Sequence, residues 1–274
     1  KYVSILTSRG CPYPCTYCQR ALGNTFRAQS AERVVDEIED HVRRYGVDTV
    51  EVLDDIFNYD ERRVFEFQKL LAQRNLKIHL TFPNGVRGDL LTEAVIDALI
   101  AAGMDHLTVA LESASPRIQE LVGKRLDIDR FLRNATYAAK KNTLTQCYSI
   151  IGFPSETEAE MRRTIDTVVD LPAHLATFFT AIPLPGTQMH EMAKRIAPEK
   201  LARIDWRELE SITARINVSA EPDDVLFRCQ GEGMRRFYMN PKRIHRILRD
   251  HPTPGSLLYL GYILALRATK GLFA

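Results

Sequence analysis

The chain has 274 residues, 45% hydrophobic and 26% charged, with a formal net charge of +2. That size and balance suit one large α/β domain with a sizeable core, and they offer no charge-based reason to expect a nucleic-acid or membrane-surface partner. No apolar run approaches the ~20 residues of a membrane span, and no charged-then-apolar leader opens the sequence.

Short apolar runs alternate with amphipathic segments. YVSILTS (2–8) predicts a first strand, which begins almost at the first residue. A strand with no lead-in points to an excised fragment or a missing N-terminal part. A cysteine-rich loop follows. A helix is expected over 31–45, with Ser30 as N-cap and Val34, Ile38 and Val42 on one face. DTVEVLD (48–54) predicts a strand and 60–74 a helix bearing Val64, Phe67 and Leu71. KIHLTF (77–82) reads as a strand, and the helix 92–102 ends at Gly103. HLTVALE (106–112) is a strand, followed by helical segments to about residue 142. LTQCYSIIG (144–152) is a strand and 156–171 a helix stopped by Pro172. LATFFTAIP (175–183) is the sixth strand. Beyond Gly186 the pattern turns helical, with closing helices over 235–250 and 255–269.

Strands alternating with helices predict a parallel sheet of right-handed crossovers. The even spacing, with no break to mark a switch point, favours an incomplete (β/α)6 TIM-type barrel with C-terminal helices over an open doubly wound sheet. The expected organisation is a partial barrel over 1–190 and a helical extension over 191–274.

The five cysteines are Cys11, Cys15, Cys18, Cys147 and Cys229. An odd count with a tight triplet argues against a secreted disulfide framework and for a reducing cytoplasm. Cys11, Cys15 and Cys18 follow the first strand directly, on the face where parallel α/β folds carry their ligands. Soft thiolates select zinc or iron–sulfur clusters. A structural zinc ion needs a fourth ligand, and the nearest candidate, His41, lies inside a predicted helix. Three thiolates favour a cluster with one open iron. A zinc-stabilised binding module without catalysis is the alternative of another class. Cys147 and Cys229 read as core positions, and Trp206 and the RRFY aromatics as packing.

The C-x-x-x-C-x-x-C spacing, with Tyr17 before the last cysteine, resembles the signature of radical S-adenosylmethionine (radical SAM) enzymes. The resemblance implies a 4Fe–4S cluster on Cys11, Cys15 and Cys18, with SAM chelating the open iron. It further implies reductive cleavage of SAM to a 5′-deoxyadenosyl radical that abstracts hydrogen from a substrate. Tyr17 joins the expected cofactor-binding set through this motif.

Five more segments follow strand ends. VLDDIF (52–57) presents Asp54 and Asp55, adjacent carboxylates that call for a nearby cation. The family commonly has Gly-Gly-Glu here to hold the SAM amine. The Asp-Asp-x-Phe version looks like the cobalamin-associated subgroup. The structural alternative is that Asp55 caps a helix. FPNGVRGD (82–89) offers Asn84 and Arg87 to a carboxylate or ribose, or is a solvated turn. VALESAS (109–115) offers Glu112 and Ser113, and resembles the family's Gly-x-Glu-Ser segment near the SAM methionyl and ribose groups. Ser113 or Ser115 also suits a helix cap. IIGFPSET (150–157) resembles Gly-x-Pro-Gly-Glu-Thr, whose backbone packs on adenine. This brings in Ile151, Gly152 and Pro154, with Ser155 in place of a glycine. Glu156 and Thr157 also fit the first turn of a helix. IPLPGTQM (182–189) resembles a Pro-x-Pro-Gly-Thr segment of the cobalamin subgroup and reads as a rigid turn.

The resemblance implies methyl transfer to carbon with cobalamin, or a cobalamin-independent oxidoreductase or oxidative ring closure. Cobalamin would sit on a domain absent from this sequence, normally preceding Lys1. Expected partners are a small-molecule or peptide substrate and a reductant such as flavodoxin or ferredoxin, with no nucleic acid. A methylthiotransferase acting on RNA would need a second cysteine set and a basic appendage.

Overall fold

The computed structural model describes residues 1–141, 143–206, 216–250 and 261. Strands and helices alternate as the periodicity predicts. The elements through the third helix are β1 (Tyr2–Ile5), β2 (Ser8–Arg9), β3 (Arg27–Ala28), α1 (Ala31–Tyr45), β4 (Thr49–Val52), α2 (Glu61–Gln73), β5 (His79–Thr81) and α3 (Glu93–Ala101). Then come β6 (Met104–Glu112), α4 (Pro116–Leu121), α5 (Ile128–Ala139), β7 (Leu144–Ile151), α6 (Glu158–Asp170) and β8 (Leu175–Thr180). The helices α7 (Gln188–Ile196), α8 (Pro198–Ala202), α9 (Asp223–Tyr238) and α10 (Pro241–Asp250) follow.

Six strands form one sheet in the order β1-β4-β5-β6-β7-β8, so sheet order follows chain order with no switch point. Pairing is parallel from β1 to β4, β4 to β5 and β5 to β6. A separate antiparallel ladder sets Ser8 opposite Ala28 and Arg9 opposite Arg27.

The predicted first strand is shorter than its apolar run. It stops at Ile5 because the next backbone donors turn to a side chain. Asp54, 2% exposed, accepts the N–H groups of Thr7 (2.6 Å) and Ser8 (3.0 Å) and both their hydroxyls (2.6 Å each). Four donors on one carboxylate satisfy what burial would otherwise leave costly.

Two compact units divide the chain, one of residues 1–13, 20–110 and 127–146, the other of 14–19, 111–126 and 147 onward. In the first, α1 starts at Ser30, whose hydroxyl accepts from the Arg33 N–H, and buries Ala31, Val34, Val35 and Ile38. Helix α2 buries Val64, Phe67 and Leu71, and α3 buries Val95, Ile96 and Leu99. These are the stripes expected of helices packed on a sheet. In the second, Ile118, Val122, Phe153, Ala181, Met189, Ala193 and Val218 form a buried apolar cluster with Tyr17 against it.

The helix expected over 235–250 is two helices. Pro241 lacks an N–H and starts α10, while the Asn240 side chain accepts from Lys242 and Arg243 N–H groups. Arg243 then turns back and donates to the carbonyls of Val169, Leu171 and Ala173, with its guanidinium 3.5 Å from the Phe237 ring centre. Helices α7 and α8 were not resolved by the sequence pattern. The helix expected over 255–269 lies, apart from Gly261, outside the described residues. No helix among the described residues is long and apolar enough to cross a membrane.

Asp54→Ala should cost about 3 kcal/mol or more, because four buried donors lose their acceptor together. Equilibrium urea denaturation measures this, and a loss within ~0.5 kcal/mol would remove Asp54 from the framework.

Candidate active site at the cysteine loop

The stretch from Arg9 to Gly23 is ordered by backbone contacts. In the first unit, the Gly10 N–H donates to Asp55 Oδ2 (2.9 Å) and Cys11 N–H to the Gly23 carbonyl (3.3 Å). Gly10 has φ +81°, and a Cβ there would lie 2.3 Å from the Thr25 carbonyl oxygen, so no other residue fits this turn without moving it. Asp55 therefore pins the loop's first residue. It does not cap a helix: the N-cap of α2 is Asp60.

In the second unit, the Thr16 N–H donates to the Val122 carbonyl (2.8 Å) and its carbonyl accepts from Met189 (2.9 Å). Cys18 N–H reaches the Cys15 carbonyl (3.4 Å). Cys11, Cys15 and Cys18 form no disulfide; the first two are half-buried and Cys18 is exposed. The hydrogen bond with Cys15 raises the Cys18 thiol well above its ordinary value. A soft metal that takes both sulfurs must displace that proton. Three unoxidised thiols on one short loop are a donor set that fits an iron–sulfur cluster. The zinc alternative needs a fourth ligand, and His41 lies within α1. Among the described residues no group of three or more His, Cys, Asp or Glu side chains is gathered to hold a single metal ion.

Tyr17 points back into the second unit. Its ring lies 5.7 Å from that of Phe153, and its hydroxyl donates to Glu112 Oε1 (3.1 Å). Lys124 Nζ reaches the same oxygen at 2.9 Å, with both charged side chains nearly buried. Glu112 Oε2 has no hydrogen-bond partner among the described residues and is not one of the buried orphan atoms. Glu112 also sits at φ +64°, the left-handed region, at the last residue of β6. A glutamate held there against its backbone preference is the kind of strain that collects at functional sites. Burial, then the Glu112 charge, raises the Tyr17 phenol well above its usual value.

Lys124 was missed by the sequence reading. It lies twelve residues from Glu112 with no local pattern to mark it; only folding brings the pair together.

The remaining expected residues divide. Arg87 pairs with Asp89 (2.9 Å), and its guanidinium lies 3.7 Å from the Tyr13 ring centre. Its N–H and carbonyl bond the Asn58 side chain. Asn84 is exposed and donates to the Leu53 carbonyl (2.9 Å). Ser113 is fully buried, with its hydroxyl 3.2 Å from that of Thr164. Ser115 caps α4, as one of the two serines was expected to.

Ile151, Gly152 and Pro154 are buried. Gly152 leaves room for Leu226, which a Cβ would approach to 2.9 Å. Glu156 is not in the first turn of α6. It precedes the cap Thr157, and its Oε2 accepts the N–H groups of Gly152 (2.6 Å) and Phe153 (2.9 Å) while Oε1 is buried without a partner. The T-x-x-E spacing of Thr157 and Glu160, a capping box, was the available signal. Ser155, standing where a glycine is usual, takes the glycine conformation (φ +64°), braced by Arg117, which bonds its hydroxyl and carbonyl. Cys147 and Cys229 are fully buried, as expected of core positions.

The Radical SAM superfamily model matches residues 5–168, which include the cysteine loop and the strand ends through β7. The chain belongs to the radical SAM superfamily. A 4Fe–4S cluster and SAM are the cofactors this membership implies. Among curated relatives, "Uncharacterized methyltransferase PH0819" of Pyrococcus horikoshii is 32% identical over 98% of this chain and 56% of its own length. "Cytidylyl-2-hydroxyethylphosphonate methyltransferase" of Streptomyces wedmorensis is 28% identical over 68% of this chain and 36% of its own. The chain thus spans about half, or less, of these relatives. A solved radical SAM methyltransferase, TsrM from Kitasatospora setae with cobalamin and a [4Fe-4S] cluster bound, superposes with a TM-score of 0.64 at 22% identity, covering 85% of this chain and 43% of that one. That likeness bears out the partial TIM-type α/β barrel.

The buried pair predicts strong coupling. Lys124→Met alone should destabilise by about 3–5 kcal/mol by stranding Glu112, whereas Lys124→Met with Glu112→Leu should recover most of the loss. A double-mutant cycle on unfolding free energies checks this, and additive losses would deny the coupling. Burial also pushes the Glu156 carboxyl up from 4.5 to about 8. The folded chain then holds a proton the unfolded chain releases. That contribution is full below the unfolded value and is lost as pH rises through the folded one. Glu156→Gln, neutral throughout, should lack this loss. The stability of the native chain relative to Glu156→Gln should fall between about pH 5 and pH 8.5; a flat difference refutes the shift.

Proposed function

We propose that the chain is the catalytic core of a radical SAM methyltransferase of the cobalamin-associated type. The observation that carries this reading is the match of nearly the whole chain, at 32% identity, to a relative named a methyltransferase. Cobalamin is supported by the cobalamin-bound TsrM fold and by the Asp54-Asp55-x-Phe57 segment. It would be carried on a further domain. Residues 1–190 are taken as the barrel and 191–274 as the helical extension.

Cys11, Cys15 and Cys18 hold the cluster in this reading. Once bound, the cluster supplies the electron for reductive cleavage of SAM. The chain's own residues do the rest. Asp55 fixes Gly10 and so the start of the ligand loop. Glu112 would offer Oε2 to SAM, while Tyr17 and Lys124 hold Oε1. Arg87, already oriented by Asp89 and Tyr13, offers its fork to a carboxylate. Asn84 offers a polar edge at the exposed end of β5. Ile151, Gly152 and Pro154 would pack on the adenine. Asp54 and Ser113 serve as braces, because their polar atoms are taken by Thr7, Ser8 and Thr164. The barrel's contribution is orientation and exclusion of water. The electron comes from a reductant such as flavodoxin or ferredoxin, and the acceptor is a small molecule or peptide.

Anaerobic reconstitution with iron and sulfide, followed by reductant and SAM, should yield a brown protein and 5′-deoxyadenosine. Cys11→Ala, Cys15→Ala and Cys18→Ala should each lower bound iron and cut product by about 100-fold or more. A fully loaded cluster that never turns over SAM would falsify the reading.

A further inference from the structure

A concentration of positive charge flanks the end of β1 and has no part in the site above. A cavity of about 360 Å³ opens there, lined by Thr7, Ser8, Arg9, Arg27, Gln29 and Arg33 among others, with no acidic side chain in its walls. All of these residues lie in the first unit.

The fold builds this cluster at a cost. The β2/β3 register sets Arg9 directly opposite Arg27, and like charges opposite one another on a ladder repel. Arg33 adds a third guanidinium from the first turn of α1. Among the described residues the side chains of Arg9 and Arg33 have no hydrogen-bond or ion-pair partner, and Arg27 gives one N–H to the Leu22 carbonyl (3.0 Å). The other polar groups in the wall are taken. The Thr7 and Ser8 hydroxyls bond Asp54, and the Gln29 amide bonds the Leu6 carbonyl. The cavity therefore offers guanidinium forks and little else, in a chain whose net charge is only +2. Three such forks around one concavity suit a dianion with several oxygens better than a single carboxylate. The volume lies in the range of small-molecule sites and exceeds what one phosphate fills.

We propose that this cavity binds a phosphate-bearing small molecule, with its phosphate held by Arg9, Arg27 and Arg33. The inference goes beyond the proposed function and does not rest on it. Its ligand is an organic phosphate or free inorganic phosphate, which share the recognised group.

The test is calorimetric titration of the cluster-loaded chain with inorganic phosphate and with glycerol 3-phosphate, at constant ionic strength set with chloride. Glycerol 3-phosphate has no adenine for a SAM site to accept. Saturable one-to-one binding is expected, weakened at least about tenfold by Arg9→Gln with Arg33→Gln and unchanged in the exposed α5 control Arg133→Gln. Arg33→Gln alone, which loses no internal partner, should give a smaller loss in the same direction and covers the case where the double variant misfolds. Tighter binding of glycerol 3-phosphate identifies an organic phosphate; equal binding identifies the free anion. No saturable binding, or binding that the arginine variants leave unchanged, overturns the proposal. So does capture of an acidic electron-transfer protein through these arginines with no phosphate binding. Cluster absorbance in the same samples reports separately on the cysteine loop, so failure here leaves the radical SAM reading standing.

Discussion

The buried carboxylate of Asp54 determines where the chain can leave its first strand. It takes two backbone and two hydroxyl donors from Thr7 and Ser8, and those are the residues at which an apolar run would otherwise have continued its ladder. Everything downstream in that unit depends on this exit. Ser8–Arg9 is free to pair with Arg27–Ala28, Gly10 comes within reach of Asp55, and Cys11 begins its loop from a fixed point. Two adjacent acids at the end of β4 thus have separate tasks. One is sunk into the framework, and the other holds a backbone amide at the edge of the loop. Their mutual repulsion is offset because each faces its own donors.

The second unit anchors the other half of the loop by different means. Thr16 is bonded on both sides of its peptide, to Val122 and Met189, and Tyr17 places its ring on Phe153 and its hydroxyl on Glu112. Glu112 is in turn held by Lys124. Such a chain of contacts makes a carboxylate rigid while leaving one oxygen uncommitted, which is how positioned binding groups are commonly built.

Most of the fold was legible because its helices are amphipathic and capped. Ser30, Ser115 and the stripe Val34, Ile38 need no tertiary knowledge to interpret. The cysteine loop was legible because its spacing is local. What escaped was non-local. Lys124 meets Glu112 only through folding, and the β2/β3 ladder of two residues per strand carries no periodicity. The stop at Ile5 depends on a side chain forty-nine residues away in sequence. The break at Asn240–Pro241 was readable from proline chemistry but was masked by a continuous run of helix formers. Asp54 and Ser113 stand at strand ends, where the sequence suggests ligands, and no local pattern marks the partners that fold onto them, Thr7, Ser8 and Thr164.

The left-handed backbone at Glu112 has a further consequence for how this position can drift. Glycine or asparagine would relieve the conformation, so random substitution is biased by the backbone toward residues without a carboxylate. The backbone's preference and the buried ion pair with Lys124 therefore pull the position in opposite directions.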